Sequence, residues 1–229
     1  MTAGRVVEVG QPTDRPLERT LFCFALADEA RFFRPAGASV LLTGMGAENA
    51  ARALRARLGR QPVACVMSCG FAGALNPDLP GASVLFDAAH AEGDWQQRLR
   101  AAGARPARFL TVDHMVITSD EKMRLWTETQ ADAVEMESAA LRAVCREHRI
   151  TCLTVRAVSD TACETLPLDF NALLTEDCRL HPGRLAWALL RSPGKIAGLW
   201  RLRQRTRAAA RALAVVLTRL SEEAGTAGR

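Results

Sequence analysis

Seven short apolar runs recur along the chain, and what separates them constrains the fold more than any single motif. They are LFCFALA (21–27), SVLLTG (39–44), VACVMS (63–68), ASVLFDA (82–88), ARFLTV (107–112), ADAVEM (131–136) and TCLTVRAVS (151–159). Their length and their Val, Leu, Phe and Cys content suit strands covered on both faces. Between them, AENAARALRARLGR (47–60) and ESAALRAVCREHR (137–149) carry Ala, Leu and Arg at helical spacing. Strands alternating with helices predict an α/β fold of three layers, a central, mostly parallel, mixed sheet flanked by helices. With 229 residues, 48% of them hydrophobic, one sizeable core is affordable.

In such a fold ligands gather at the carboxyl ends of the strands, so the residues that end each run matter. The first run ends in Asp28 and Glu29, the second in Gly44-Met45-Gly46, and the third in Cys69-Gly70-Phe71-Ala72-Gly73. The sixth ends at Glu137 and the seventh at Asp160. Carboxylates and glycines therefore concentrate where a pocket is expected. Glu137-Ser138 also reads, more plainly, as an acidic start to a helix.

Seven cysteines are scattered, mostly within apolar runs, with no CxxC pair and no signal peptide ahead of them, which predicts reduced, buried thiols in a cytoplasmic protein. His90, His114, His148 and His181 lack ligand spacing, so no metal is expected. The net charge of +5 conceals an asymmetry: residues 179–229 hold eleven Arg and Lys against two Glu, while the rest has nineteen basic against twenty-three acidic residues. A basic tail on a mildly acidic body points to an anionic surface meeting the tail. The chain is accordingly divided into a main body, 1–190, and a basic amphipathic C-terminal helix and tail, 191–229.

GMGAENA, SCGFAG, AVEMESAA and VRAVSD occur in the order and spacing of the nucleoside phosphorylase superfamily, which includes purine nucleoside phosphorylases and methylthioadenosine/S-adenosylhomocysteine nucleosidases. The resemblance spans roughly residues 21–171 and is carried most specifically by the VEME-type motif followed by a strand ending in Ser-Asp. It implies cleavage of the N-glycosidic bond of a purine nucleoside without a cofactor, in at least a dimer; no nucleic-acid partner is expected, because the arginine-rich tail has no interleaved aromatic residues and no recognised binding module around it. Such cleavage builds oxocarbenium character on the ribose and negative charge on the departing base, so it needs an acid at the base and acceptors at the sugar hydroxyls. By resemblance Asp160, preceded by Ser159, gives a proton to N7 of the purine. Glu137 accepts from the ribose 2′ and 3′ hydroxyls, and Met136 packs on the sugar. Gly70 and Phe71 wall the pocket, and Val116 and Ile117 match the purine-contacting segment. Glu135 joins the substrate side and is expected to pair inward with Arg156 on a neighbouring strand.

The superfamily uses water or phosphate as nucleophile. FALADEARFF resembles the nucleosidase segment whose glutamate activates water, here Glu29, and also the phosphorylase segment whose arginine grips phosphate, here Arg31. A second phosphate arginine of the hexameric phosphorylases falls on Cys65, and a neutral thiol cannot hold a dianion. Ser68 and the amides near Gly46 and Gly70 remain candidate anion holders. The balance favours hydrolysis, with phosphate as the alternative co-substrate.

The stretch between ASVLFDAAH and ARFLTVDHMVI is shorter than in the nucleosidases, where it covers the 5′ end of the nucleoside, so a more open, apolar 5′ side is expected. RSPGKIAGLWRLRQRTRAAARALAVVLTRL (191–220) places Leu199, Leu202, Ala209, Leu213, Val216, Leu217 and Leu220 on one helical stripe beside dense arginines. It is read either as a helix lying on an anionic membrane or as one closing the domain. SDTACETLPLDF and the basic tail resemble the hopanoid-biosynthesis branch, which removes adenine from adenosylhopane. Methylthioadenosine or adenosylhomocysteine cleavage is the enzymatic alternative, and a non-catalytic nucleoside-binding protein the alternative outside enzymes.

Overall fold

A computed structural model describes residues 19–34, 39–175, 177–178 and 180–226. Its strands are β1 (Thr20–Phe24), β2 (Ser39–Leu42), β3 (Cys65–Ala74), β4 (Val84–Asp87), β5 (Arg105–Ala107), β6 (Phe109–Thr111), β7 (Ala133–Glu135) and β8 (Thr151–Asp160). The helices are α1 (Ala47–Leu58), α2 (Asp94–Ala101), α3 (Ser119–Thr129), α4 (Ser138–Glu147), α5 (Phe170–Leu173), α6 (Pro182–Arg191) and α7 (Ile196–Thr226). The strands run β2-β1-β3-β8-β4-β5 across the sheet, with β7 on β3 and β6 on β7. The β1–β2, β1–β3, β3–β8, β4–β5 and β6–β7 pairs are parallel, while β4–β8 and β3–β7 are antiparallel. This is the expected mostly parallel, mixed sheet. The run at 107–112 is divided, because β5 leaves for β4 while β6 joins β7.

Alternation along β1 shows why both faces are covered. Leu21 and Cys23 pack with Val66 of β3 against Ala50 and Leu54 of α1 and Leu141, Val144 and Cys145 of α4. Phe22 and Phe24 point the other way, into a core shared with Met67, Val155 and Ala209, Leu213, Val216, Leu217 and Leu220 of α7. The later part of the basic stretch thus closes the domain. There Ala209, Leu213, Val216, Leu217 and Leu220 pack on the sheet, so these stripe residues are not available to a lipid surface. Leu199 and Leu202, earlier in the stripe, remain half-buried.

Strand β3 is long enough to serve two partners on one edge. Residues 65–69 pair with β1, and Gly73 and Ala74 pair with β7, while β8 runs along the other edge. The carboxyl ends of β1, β3, β7 and β8 are thereby brought together.

Candidate active site

Position 135 ends β7, and the turn into α4 separates it from Glu137. Glu135 is buried, and both its oxygens are occupied: Arg156 Nη2 at 2.6 Å and the Ser138 and Glu137 amides at 2.7 and 3.0 Å reach Oε2, while the Thr111 and Ser138 hydroxyls donate to Oε1 at 2.6 and 2.7 Å. Burial alone would raise its pKa, but the Arg156 charge and these donors hold it down to about 2. Glu135 therefore caps α4. Glu137 occupies the N-cap position with no side-chain cap hydrogen bond, so the plain helix-capping reading belongs to its neighbour. Glu137 instead turns to the strand ends, where its Oε1 accepts from the Gly46 amide at 3.0 Å and its Oε2 lies 3.5 Å from Arg156 Nη2.

Arg156 is fully buried yet reaches Glu135 across an intervening strand. The two residues are not on neighbouring strands, since β3 lies between β7 and β8. Gly70 is in register with Arg156, and the missing side chain leaves the space that the guanidinium crosses. Arg156 Nη2 also donates to Ser68 Oγ at 3.0 Å.

Glu29 comes to the same place from the turn after β1. Its Oε2 accepts from the Leu26 amide and its Oε1 from the Phe71 amide, both at 2.9 Å. Burial, and next the charge of Glu137, push its pKa from 4.5 to about 7, against the opposing pull of Arg156 and the two amides. Burial likewise raises Glu137 from its ordinary value, with Arg156 opposing. Three glutamates thus share one buried arginine, one firmly ionised and two displaced towards neutral pH.

Asp160 stands four residues beyond Arg156 at the end of β8, about 13 Å along an extended strand. Ser159 Oγ donates to its Oδ1 at 2.6 Å, and Lys122 Nζ donates to its Oδ2 at 2.5 Å. Lys122 is completely buried, and its remaining donors go to the carbonyls of Thr161 and Glu164 at 2.9 and 2.8 Å. The loop after Asp160 is in turn tied to α7 by an Arg205–Glu164 ion pair. Lys122 escapes sequence reading because a lysine in the first turn of a polar helix suggests a solvated side chain. A signal does exist, since it is spaced three and four residues from Leu125 and Trp126, both packed inward, while Met123 faces out.

The other expected residues divide. Met136 and Phe71 are half-buried beside the cluster, and Phe71 offers its amide to Glu29. Val116 is buried with Leu75, Ala131 and Val134, and Ile117 is half-buried with its carbonyl accepting from the Leu166 amide. Arg31 is exposed and sits 3.9 Å from Asp28, outside the cluster. The Gly46 amide is engaged by Glu137 and Ser68 by Arg156, so these candidate anion groups already have partners within the carboxylate network. Burial pushes the Cys65 thiol up to about 12, in keeping with a neutral side chain there.

Residues 81–191 match the family model described as the phosphorylase superfamily, a segment that carries Glu135, Glu137, Arg156 and Asp160. An aminodeoxyfutalosine nucleosidase of Helicobacter pylori strain 26695 is 34% identical over 67 residues, which is 29% of this chain and 29% of that relative. The chain thus matches less than a third of its curated relative's length. The futalosine hydrolase structure from the same organism superposes with a TM-score of 0.64 over 90% of this chain and 98% of its own, at 15% identity. The 5′-methylthioadenosine/S-adenosylhomocysteine nucleosidase of Neisseria meningitidis, in complex with methylthio-immucillin-A, gives 0.63 over 90% and 99% at 18% identity. At these identities the likeness is one of fold, and it extends over nearly the whole chain. The sheet is laid out as in those structures, and the segment that matches the phosphorylase superfamily model, just under half of the chain, contains Glu135, Glu137 and Asp160.

Proposed function

We propose that this chain hydrolyses the N-glycosidic bond of an adenine nucleoside. The observation that carries this reading is Glu29: a buried carboxylate held by two amides, with a pKa of about 7, is poised to take a proton from water near neutral pH. Glu137 accepts from the ribose hydroxyls as positive charge develops on the ring. Asp160 stands at the departing purine, and a proton held between Lys122 and Asp160 passes to N7. The names of the relatives, aminodeoxyfutalosine nucleosidase and methylthioadenosine/S-adenosylhomocysteine nucleosidase, are of the same reaction class. Hydrolysis is preferred to phosphorolysis because Arg31 faces solvent, Cys65 is a neutral thiol, and Gly46 and Ser68 are engaged by Glu137 and Arg156.

The nucleoside we favour carries a large apolar 5′ substituent, as adenosylhopane does. The segment after β4 supports this, because it is consumed by α2, whose Leu99 is buried in the core shared with α7, so it folds inward where a longer segment would cover the 5′ end. Adenine release from methylthioadenosine, adenosine and an adenosylhopane mimic, each with and without phosphate, tests the whole reading. Free sugar as product and indifference to phosphate are expected. A sugar 1-phosphate would replace hydrolysis by phosphorolysis, and no adenine from any substrate would leave only nucleoside binding.

A further inference from the structure

The core takes the second half of α7 and leaves the approach to it bare. Helix α6, the tight 3-10 turn Pro193–Lys195 and the first turns of α7 present four large apolar side chains to solvent: Trp187, Leu190, Ile196 and Trp200, from 56 to 79% exposed. In a segment of this size a folded domain ordinarily buries such side chains. Ile196 and Trp200 line one shallow hollow together with Arg201, and Trp187 lines an adjoining one with Lys195. The Arg191 guanidinium lies over the Trp187 ring at 3.7 Å from its centre.

The charge around these side chains is of one sign. From Leu180 to Leu220 there is no acidic residue. Several of the arginines are engaged inward: Arg184 on the Leu174 carbonyl, Arg205 on Glu164, and Arg207 and Arg211 over the Phe32 ring. Lys195, Arg201 and Arg203 are exposed and form no ion pair among the described residues. They flank the apolar side chains directly in sequence.

We infer that α6, the Pro193–Lys195 turn and the start of α7 form a peripheral docking face for an anionic lipid bilayer. Trp187, Leu190, Ile196 and Trp200 enter the boundary between headgroups and acyl chains, while Lys195, Arg201 and Arg203 meet the lipid phosphates. Tryptophan suits that depth because its ring is apolar and its indole N–H remains wet. Unpaired cations on the same face add attraction that weakens with salt. No described helix is long and apolar enough to cross a membrane, so the contact is one of surface adsorption. A protein partner would need acidic residues to answer the cations, and a nucleic acid would leave Leu190 and Ile196 without an apolar counterpart. The face differs from the one suggested by the apolar stripe of the tail, since Ala209, Leu213, Val216, Leu217 and Leu220 are buried against the sheet. It stands independently of the reaction proposed above.

Flotation of the full chain with phosphatidylcholine vesicles, with and without phosphatidylglycerol, tests this. The protein should float with the anionic vesicles and not the neutral ones, release with salt, and show a blue shift of tryptophan emission on binding. Two sets of substitutions separate the contributions: Trp187→Ser with Leu190→Ser, Ile196→Ser and Trp200→Ser, and Lys195→Glu with Arg201→Glu and Arg203→Glu. Each set should lower partitioning at least about tenfold while adenine release from a water-soluble nucleoside stays the same. Loss of adenine release with normal flotation would strike the proposed reaction and leave the lipid face standing. Failure of the intact protein to float, or flotation undiminished by both sets, overturns the proposal. So does a result in which the serine set dissociates an oligomer, or the glutamate set abolishes binding to an oligonucleotide, while vesicles are ignored.

Discussion

A side chain of even one carbon on Gly70 would lie 2.6 Å from Glu29 Oε1 and 3.1 Å from Arg156 Nη1. The glycine is thus the opening through which the two charged groups approach across β3. Gly70→Ala forces both to retreat, displacing the proposed base from the Phe71 amide. Adenine release should fall at least about tenfold, a loss of 1.4 kcal/mol in transition-state stabilisation, with a stability cost of about 1–3 kcal/mol from overpacking. Steady-state kinetics beside urea unfolding would show it, and unchanged kcat/KM would remove Gly70 from this role.

Arg156 is the common counter-charge of Glu135, Glu137 and Glu29. Arg156→Leu keeps much of the volume and leaves three buried carboxyls with no cation among them. The expected destabilisation is about 3–5 kcal/mol at neutral pH, the range for removing one partner of a buried pair. Because the abandoned carboxyls can be protonated, the deficit should shrink as pH falls. Urea denaturation of the variant and the parent at several pH values measures both effects.

Lys122 and Asp160 form the second buried pair. Lys122→Met strands a carboxylate at the end of β8 and should cost about 3–5 kcal/mol, whereas adding Asp160→Asn removes the stranded charge and should restore part of the stability. The double-mutant cycle, read from denaturant midpoints, gives the coupling directly. Additive losses would mean that the two side chains act independently. Asp160→Asn alone should slow adenine release by at least about a hundredfold, the scale of general acid catalysis.

The layers were legible because each buried strand is a compact apolar run and each main helix has an apolar stripe, as Leu21 to Phe24 against α1, α4 and α7 shows. Asp28 to Asp160 mark strand ends, so Glu29, Glu137 and Asp160 could be nominated from position alone. The inward pairing of Glu135 with Arg156 was expected from sequence, but not that it would cross β3 or that Glu135 would also cap α4. Two residues apart at a strand-to-helix turn, Glu135 and Glu137 separate according to backbone directions that only the packed turn defines. Lys122 and the route of Arg156 over Gly70 depend on contacts between residues 38 and 86 positions apart, which no local pattern encodes. The apolar stripe of α7 was legible as a stripe, but not which surface it would meet.

The displaced pKa of Glu29 fixes a pH dependence for both rate and stability. As a base it must be ionised, so kcat/KM should rise with pH to a plateau, with a limb near 7 in the free enzyme. For stability the sign is the reverse. An unfolded chain binds the Glu29 proton only below about 4.5, whereas the folded chain keeps it up to about 7, so between these values folding takes up a proton. Raising pH through that window should therefore weaken the fold, by on the order of 3 kcal/mol from this group once above 7. Glu29→Gln should flatten the acid limb of whatever residual activity persists and abolish most of the stability change over the same window. A limb that survives the substitution would belong to Glu137, whose pKa burial also raises, and Glu29 would lose its assignment as the base.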